Sequence, residues 1–215
     1  MTTLAIMKAR IAEELRRDDL TGDIADAISS AIGAYQHRRF YFNESRAIVF
    51  DTVANQDIYT SSDDADIANI VKFDYVFILI GGMPYELRQM KPADMESANL
   101  GTAFSVGQPG FFSFYNESIR LYPIPSESGW DVRIGAVVLI PEPASDAEAS
   151  NAWMVKAERL IRCRAKMELY THVIKDFEKA SAMQSLAAEA LKQLVERTQD
   201  MTQIGPMVVE AWDPY

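Results

Sequence analysis

The densest set of reactive side chains lies between Ala152 and Asp200, where Arg159, Arg162 and Lys166 recur at helical spacing on one side. Such a stripe suits carboxylates or phosphates, so an acidic partner or DNA is one reading. An ordinary solvated face, with Glu158 supporting Arg162 one turn on, is the other. Arg164 and Glu168 are also one turn apart, but fall within the apolar arc of Trp153, Ala157, Leu160, Ile161, Met167 and Ile174. A charge in apolar surroundings needs a partner, which predicts a buried Arg164–Glu168 pair.

Catalytic constellations are harder to find. Cys163 is the single cysteine, which rules out an internal disulfide or a thiolate cluster within one chain; mid-helix, it reads as a small buried thiol. His37 and His172 have no partner ligand at helical spacing, and His172, at the edge of the arc, reads as a packing residue. Ile80-Gly81-Gly82-Met83 lacks the spacing of a phosphate loop, and no Gly-x-Ser-x-Gly elbow occurs. Asp63-Asp64 and Asp94 with Glu96 could supply a glycosidase dyad, since that chemistry asks only for two carboxylates at the right separation. As loop carboxylates they need no such role. The expectation is no catalytic residue, no metal and no cofactor.

The net charge is −10, and the excess is central: residues 46–150 hold 6 basic and 15 acidic side chains, against 9 and 9 in residues 151–215. That balance argues against a chain that wraps nucleic acid, while leaving room for a local basic face. The first residues carry Lys8 and Arg10 in a helical pattern and do not resemble a signal peptide, and Val76–Gly82 is too short to span a bilayer. A soluble protein made in a cytoplasm is expected, without membrane contact.

These residues must be positioned by helices at both ends of the chain. Leu4, Met7, Ile11 and Leu15 predict a first helix closed by Asp18-Asp19. Thr21 is the expected N-cap of a second, with the stripe Ile24, Ile28, Ala31, Ile32 and Tyr35. After Ala152 one amphipathic helix runs to Asp176, and another begins with Phe177, Ala180, Met183, Ala187, Leu191 and Leu194. Between the ends the period becomes alternating. Arg46–Val53, Asp57–Thr60, Asn69–Gly82 (with a bulge), Met83–Gln89 and Trp130–Ile140 read as strands, and Phe111–Tyr115 with Ser118–Tyr122 as a hairpin. Lys91-Pro92-Ala93-Asp94 starts a short helix.

The predicted class is therefore α+β: a bundle of N- and C-terminal helix pairs, an inserted antiparallel β-sandwich or barrel-like domain, and an extended C-terminal arm. The boundaries are residues 1–44 and 145–202 for the two halves of the bundle, 45–144 for the β domain and 203–215 for the arm. Gly205-Pro206 ends any helix, and the apolar residues beyond, Met207, Val208, Val209, Trp212 and Tyr215, read either as a cover folded back on the bundle or as anchors that order on a partner.

Three stretches carry a resemblance: Tyr35-Gln36-His37-Arg38-Arg39-Phe40-Tyr41-Phe42-Asn43-Glu44, then Phe50-Asp51-Thr52-Val53-Ala54-Asn55-Gln56-Asp57-Ile58-Tyr59, and Asn151-Ala152-Trp153 continued through Leu160–Ala165 to His172–Asp176. In order and spacing, over roughly Leu4 to Thr198, they resemble the head-to-tail adaptor (connector) proteins of tailed bacteriophages. The chain departs from that pattern in its middle, where Ser97–Gly110 reads as a longer loop. The resemblance implies a virion protein of the head–tail junction, assembled in the host cytoplasm. It implies a homo-oligomeric ring, a dodecamer, docked on the portal protein and carrying the tail or nozzle protein, with the genome leaving through its channel. The arm residues would then meet the portal or the adjacent subunit, and Arg159, Arg162 and Lys166 would face DNA or a neighbour. Two other classes compete: a virion-associated cell-wall hydrolase and a DNA-binding packaging factor.

Overall fold

The structure, a computed structural model, describes residues 2–98 and 105–202; the arm residues Met207, Val208, Val209, Trp212 and Tyr215 lie outside the described residues. The fold is α+β. Its helices are α1 (Leu4–Leu15), α2 (Thr21–Gly33), α3 (Pro92–Ala98), α4 (Ala152–Lys156), α5 (Glu158–Glu168) and α6 (Phe177–Thr202). The strands are β1 (Glu44–Asp51), β2 (Ile58–Tyr59), β3 (Ile70–Ile80), β4 (Met83–Glu86), β5 (Arg88–Gln89), β6 (Val106–Gly107), β7 (Phe111–Tyr115), β8 (Ser118–Tyr122), β9 (Ile124–Pro125) and β10 (Asp131–Val138). Two compact units result, one from the chain up to Phe42 and from Ile140 onward, the other from Asn43–Leu139.

In the helical unit the apolar stripes meet as their periods require. Met7 and Ile11 of α1, Ile24, Ile28, Ala31 and Ile32 of α2, and Trp153, Leu160 and Ile161 are buried together. The α5 helix is the hub and packs on α2, α6 and α1. Thr3 caps α1 by accepting the Ile6 N–H at 3.3 Å. The far end differs from expectation: Arg16, in the left-handed region at φ 53°, closes the helix through bonds to Ala12 and Glu13, before Asp18-Asp19. Thr21 likewise does not cap α2. The buried Leu20 occupies the cap position, and the Thr21 hydroxyl donates to Asp18 O at 3.5 Å.

The C-terminal helical run is also more segmented than its periodicity suggests. A break at Ala157 separates α4 from α5, and a π-helical stretch, Leu169–Ile174, follows α5. Lys175 then turns left-handed at φ 60°, and Asp176 accepts the Lys179 N–H at 3.1 Å to start α6. Phe177, expected on the buried stripe, is 69% exposed. The buried positions of α6 include Ala180, Ala187 and Ala190, whose small side chains let it lie close against α5.

The β unit holds two four-stranded sheets, ordered β1-β10-β3-β4 and β2-β8-β7-β5, and a small β6-β9 pair. Its core takes one face of each strand: Ile48 and Phe50, Val76 and Ile78, Ile119 and Leu121, Val132 and Ile134. The bulge expected in β3 falls at Asp74, skipped between the pairs Gly135–Tyr75 and Ala136–Phe73. The hairpin turn is Asn116-Glu117, both at positive φ, the geometry that suits a two-residue connection. The sheets are not wholly antiparallel: β5 runs parallel to β7 and β6 to β9. The cause of the first is Leu87, which splits the expected Met83–Gln89 strand. Its N–H donates to Val76 O in one sheet, while the Arg88 N–H donates to Gly110 O beside the other, so the chain crosses between sheets.

Candidate functional site

The predicted cationic stripe is the best-defined polar cluster, and the structure turns it inward. Arg10 pairs with Glu158 at 3.3 Å and Glu158 with Arg162 at 3.1 Å. Arg162 also takes Glu14 Oε1, and Lys166 Nζ sits 2.5 Å from Glu14 Oε2. Five alternating charges thus lace α1 to α5. Burial pulls the Glu14 carboxyl up, but hydrogen bonding and charge from Lys166, then Arg162, outweigh it and hold the group below the usual carboxylate range. Arg159 turns to α6 instead, 3.3 Å from both Glu189 and Gln193. All three cations therefore have partners within the unit, and the stripe is a seam rather than a free face.

Beside that seam a groove of about 190 Å³ runs between α5 and α6, with Lys156, Arg159 and Arg197 on its walls. Two of these cations also meet one aromatic ring: Arg197 lies 4.6 Å and Lys156 5.5 Å from the Tyr41 centroid.

Arg164 and Glu168 do pair, at 3.2 Å, but not as a buried pair: the Arg164 side chain keeps 34% of its surface and Glu168 16%. The long arginine reaches out of the apolar arc along its own methylenes, which explains the difference. His172 is exposed on the π-helical stretch instead of packed, beside Asp23, Asp26 and Glu168. Cys163 is buried, and burial pushes its thiol up against the opposing pull of Lys166, Arg162 and Arg159. Three of the four carboxylates weighed for a dyad are engaged with other groups. Asp63 accepts the Thr60 N–H; Asp64 accepts those of Val49 and Asp66; Glu96 pairs with Arg120. No helix among the described residues is long and apolar enough to cross a membrane.

The stretches most distinctive in sequence are clasps. Tyr59 stacks on Phe50 with centroids 4.6 Å apart, donates its hydroxyl to Gln56 O and accepts the Val53 N–H. Thr52, buried, donates to Glu127 O and accepts the Trp130 N–H. Gln56 closes the loop by donating to Ile58 O. In the other unit Asn151 caps α4 by accepting the Trp153 N–H and donates to Pro141 O, each at 3.1 Å. Trp153 meets Phe40 and Phe42 edge-on and donates its indole N–H to Ile140 O.

Sequence reasoning missed Glu14, the centre of the ladder. A signal existed: Glu14 lies three residues after Ile11 and seven after Met7, on the flank of the buried stripe. Nothing local marks Tyr41 as the ring under Lys156 and Arg197, because those three come from distant parts of the chain.

No curated protein matches the chain. A family model described as SU10 adaptor protein matches residues 2–210, nearly the whole length, and the chain belongs to that family of phage head-to-tail adaptors.

Proposed function

We propose that the protein acts as a ring of identical subunits, a dodecamer, at the neck of a tailed-phage virion. The ring docks on the portal protein, carries the tail or nozzle protein, and leaves a channel for the genome. What supports this reading, beyond family membership, is the presence of two units with separate hydrophobic cores in one adaptor chain. A connector must offer one surface to each neighbour, and independent cores let the two surfaces be shaped separately. Assembly takes place in the host cytoplasm.

Within the ring, Met207, Val208, Val209, Trp212 and Tyr215 serve as apolar anchors on the portal or the adjacent subunit. Of the cationic stripe, Arg159 keeps 46% of its side-chain surface while Arg162 keeps 25% and Lys166 13%. A contact with channel DNA or with a neighbour therefore rests on Arg159, and the other two hold the subunit together. Negative-stain imaging of the protein mixed with its portal tests the proposal. Rings seated on the portal, lost on truncation after Ile204, are expected. A protein that stays monomeric beside the portal overturns the reading.

A further inference from the structure

The β1-β10-β3-β4 sheet buries one face, and its other face carries an apolar strip along β3 between charged side chains. Register places Val49, Arg133, Phe77 and Glu86 side by side in one outward row, with Asp51, Asp131, Leu79 and Pro84 in the next. Tyr75 and Phe77 lie with ring centroids 5.0 Å apart, and Tyr75 lies over Gly135, where the missing side chain keeps the floor low. The result is a groove of about 460 Å³, floored by Tyr75, Phe77, Leu79 and Pro84 and rimmed by Arg46 and Arg133. That is within the range of about 300–1,000 Å³ typical of ligand pockets.

The rim charges differ. Arg133 is held by Asp131 at 2.7 Å on its own strand. Arg46 is exposed and has no ion pair among the described residues. The unit is otherwise acidic, so this uncompensated cation over an aromatic floor selects a segment that brings apolar side chains around a carboxylate. In an extended chain alternate residues share a face. Outside the described residues, Val208, Glu210 and Trp212 present that pattern: apolar, acidic, aromatic at every second position. The Asn99–Phe104 stretch has no carboxylate to offer.

We propose that this groove receives Val208–Trp212 of a second copy of the chain, laid as an extended strand. Trp212 and Val208 cover Tyr75, Phe77 and Leu79, and the Glu210 carboxylate meets Arg46. The inference rests on the reading of the protein as a ring of copies, and it assigns the arm's apolar anchors to the adjacent subunit. It also gives the apolar strip a cover that the subunit does not supply from its described residues.

The test replaces Trp212 with the photo-cross-linking amino acid benzoylphenylalanine in the full chain. An equal mixture of isotope-labelled and unlabelled protein, concentrated and without portal, is irradiated and digested. The expected products join residue 212 to peptides containing Tyr75–Pro84 and carry mixed isotopes. Arg46→Glu lowers their yield about tenfold, and Glu210→Arg in the same chain restores it. Arg46 is exposed, so both variants fold. Cross-links to other surfaces, products of one isotope only, no products, or a yield indifferent to the charge exchange overturn the proposal. Portal imaging is read separately: rings on the portal without these cross-links sink the groove assignment and leave the adaptor reading standing.

Discussion

Glu14 and Lys166 are 152 residues apart in sequence, yet the carboxylate Oε2 lies 2.5 Å from the ammonium Nζ, and Arg162 takes the other carboxylate oxygen. The first helix is thereby fastened to the hub of the bundle by one shared acid. Glu14→Gln keeps the shape, removes the charge and leaves Lys166, with 13% of its side chain exposed, short of its anion. The expected loss is about 1–3 kcal/mol in denaturant unfolding.

The same residue sets an acid response. Its folded-state titration lies below the ordinary value of 4.5, so the unfolded chain takes up the proton first. The stabilisation is fully present above the unfolded value and is lost as pH falls through the folded one. Unfolding midpoints measured downward from pH 6 should fall below about pH 4.5 in the wild type and fall less in Glu14→Gln. Parallel curves for the two proteins would remove Glu14 from the acid response.

Arg164 and Glu168 give the opposite expectation. The pair is formed, but a third of the arginine side chain is in water. A double-mutant cycle with Arg164→Met and Glu168→Leu should show a coupling below about 1 kcal/mol, the range of exposed helical pairs. A coupling several times larger would mean the pair is buried in solution.

What the sequence disclosed follows from how far each signal reaches. Stripes such as Ile24, Ile28, Ala31 and Ile32, or the Phe111–Tyr122 hairpin, are written in local spacing, and the structure reproduces them. Helix ends were less legible, because Arg16 and Leu20 win their positions through backbone geometry and burial, which outweigh the capping preference of Thr21. The crossing at Leu87 is a long-range event that no local period records. The charged seam was half visible: the cations stood out in their row, but their acid, Glu14, sits in a helix at the other end of the chain. The sheet-face groove was invisible for the same reason, since Arg46, Tyr75 and Arg133 converge only through strand pairing.

Gly135 and Tyr75 form a tight contact of another kind. A Cβ added at Gly135 would overlap the Tyr75 ring. Gly135→Ala must push that ring off the sheet, at a cost of about 1–3 kcal/mol. In a Tyr75→Ala background the same substitution should be nearly silent. An equal loss in both backgrounds would place the cost in the strand backbone and not in the ring.

Cys163 offers a probe of the helical unit. Burial raises its thiol above the ordinary 9.0, so the thiolate population at pH 8 is reduced, and access requires opening of the bundle. Its reaction with an aromatic disulfide reagent should be at least about a hundredfold slower than that of a small free thiol, and should accelerate with denaturant. Immediate full reaction in native buffer would show that α5 is not packed as described.

The last prediction concerns the independence of the two units. The helical one takes its core from both ends of the chain, and the strands between contribute none of its buried residues. Excision is geometrically possible because the two cut ends meet the same side chain. Phe42 lies 5.5 Å from the Trp153 ring centroid, and Ile140 O accepts the Trp153 indole N–H at 3.1 Å. A linker of about four to six Gly/Ser residues, at roughly 3.3 Å each when extended, spans that gap. Removing Asn43–Leu139 should leave a soluble helical protein that unfolds in one transition by circular dichroism. A cut shifted three residues along the chain, residues 46–142, instead deletes Ile140 and Pro141, the acceptors of Trp153 and Asn151. Each buried donor left unpaired costs about 1–3 kcal/mol, so the shifted cut should be clearly less stable than the removal of Asn43–Leu139. If the removal of Asn43–Leu139 gives an unfolded chain, the strands are needed for the helices to fold; if the two deletions are equally stable, the clasp at Trp153 does not hold the ends together.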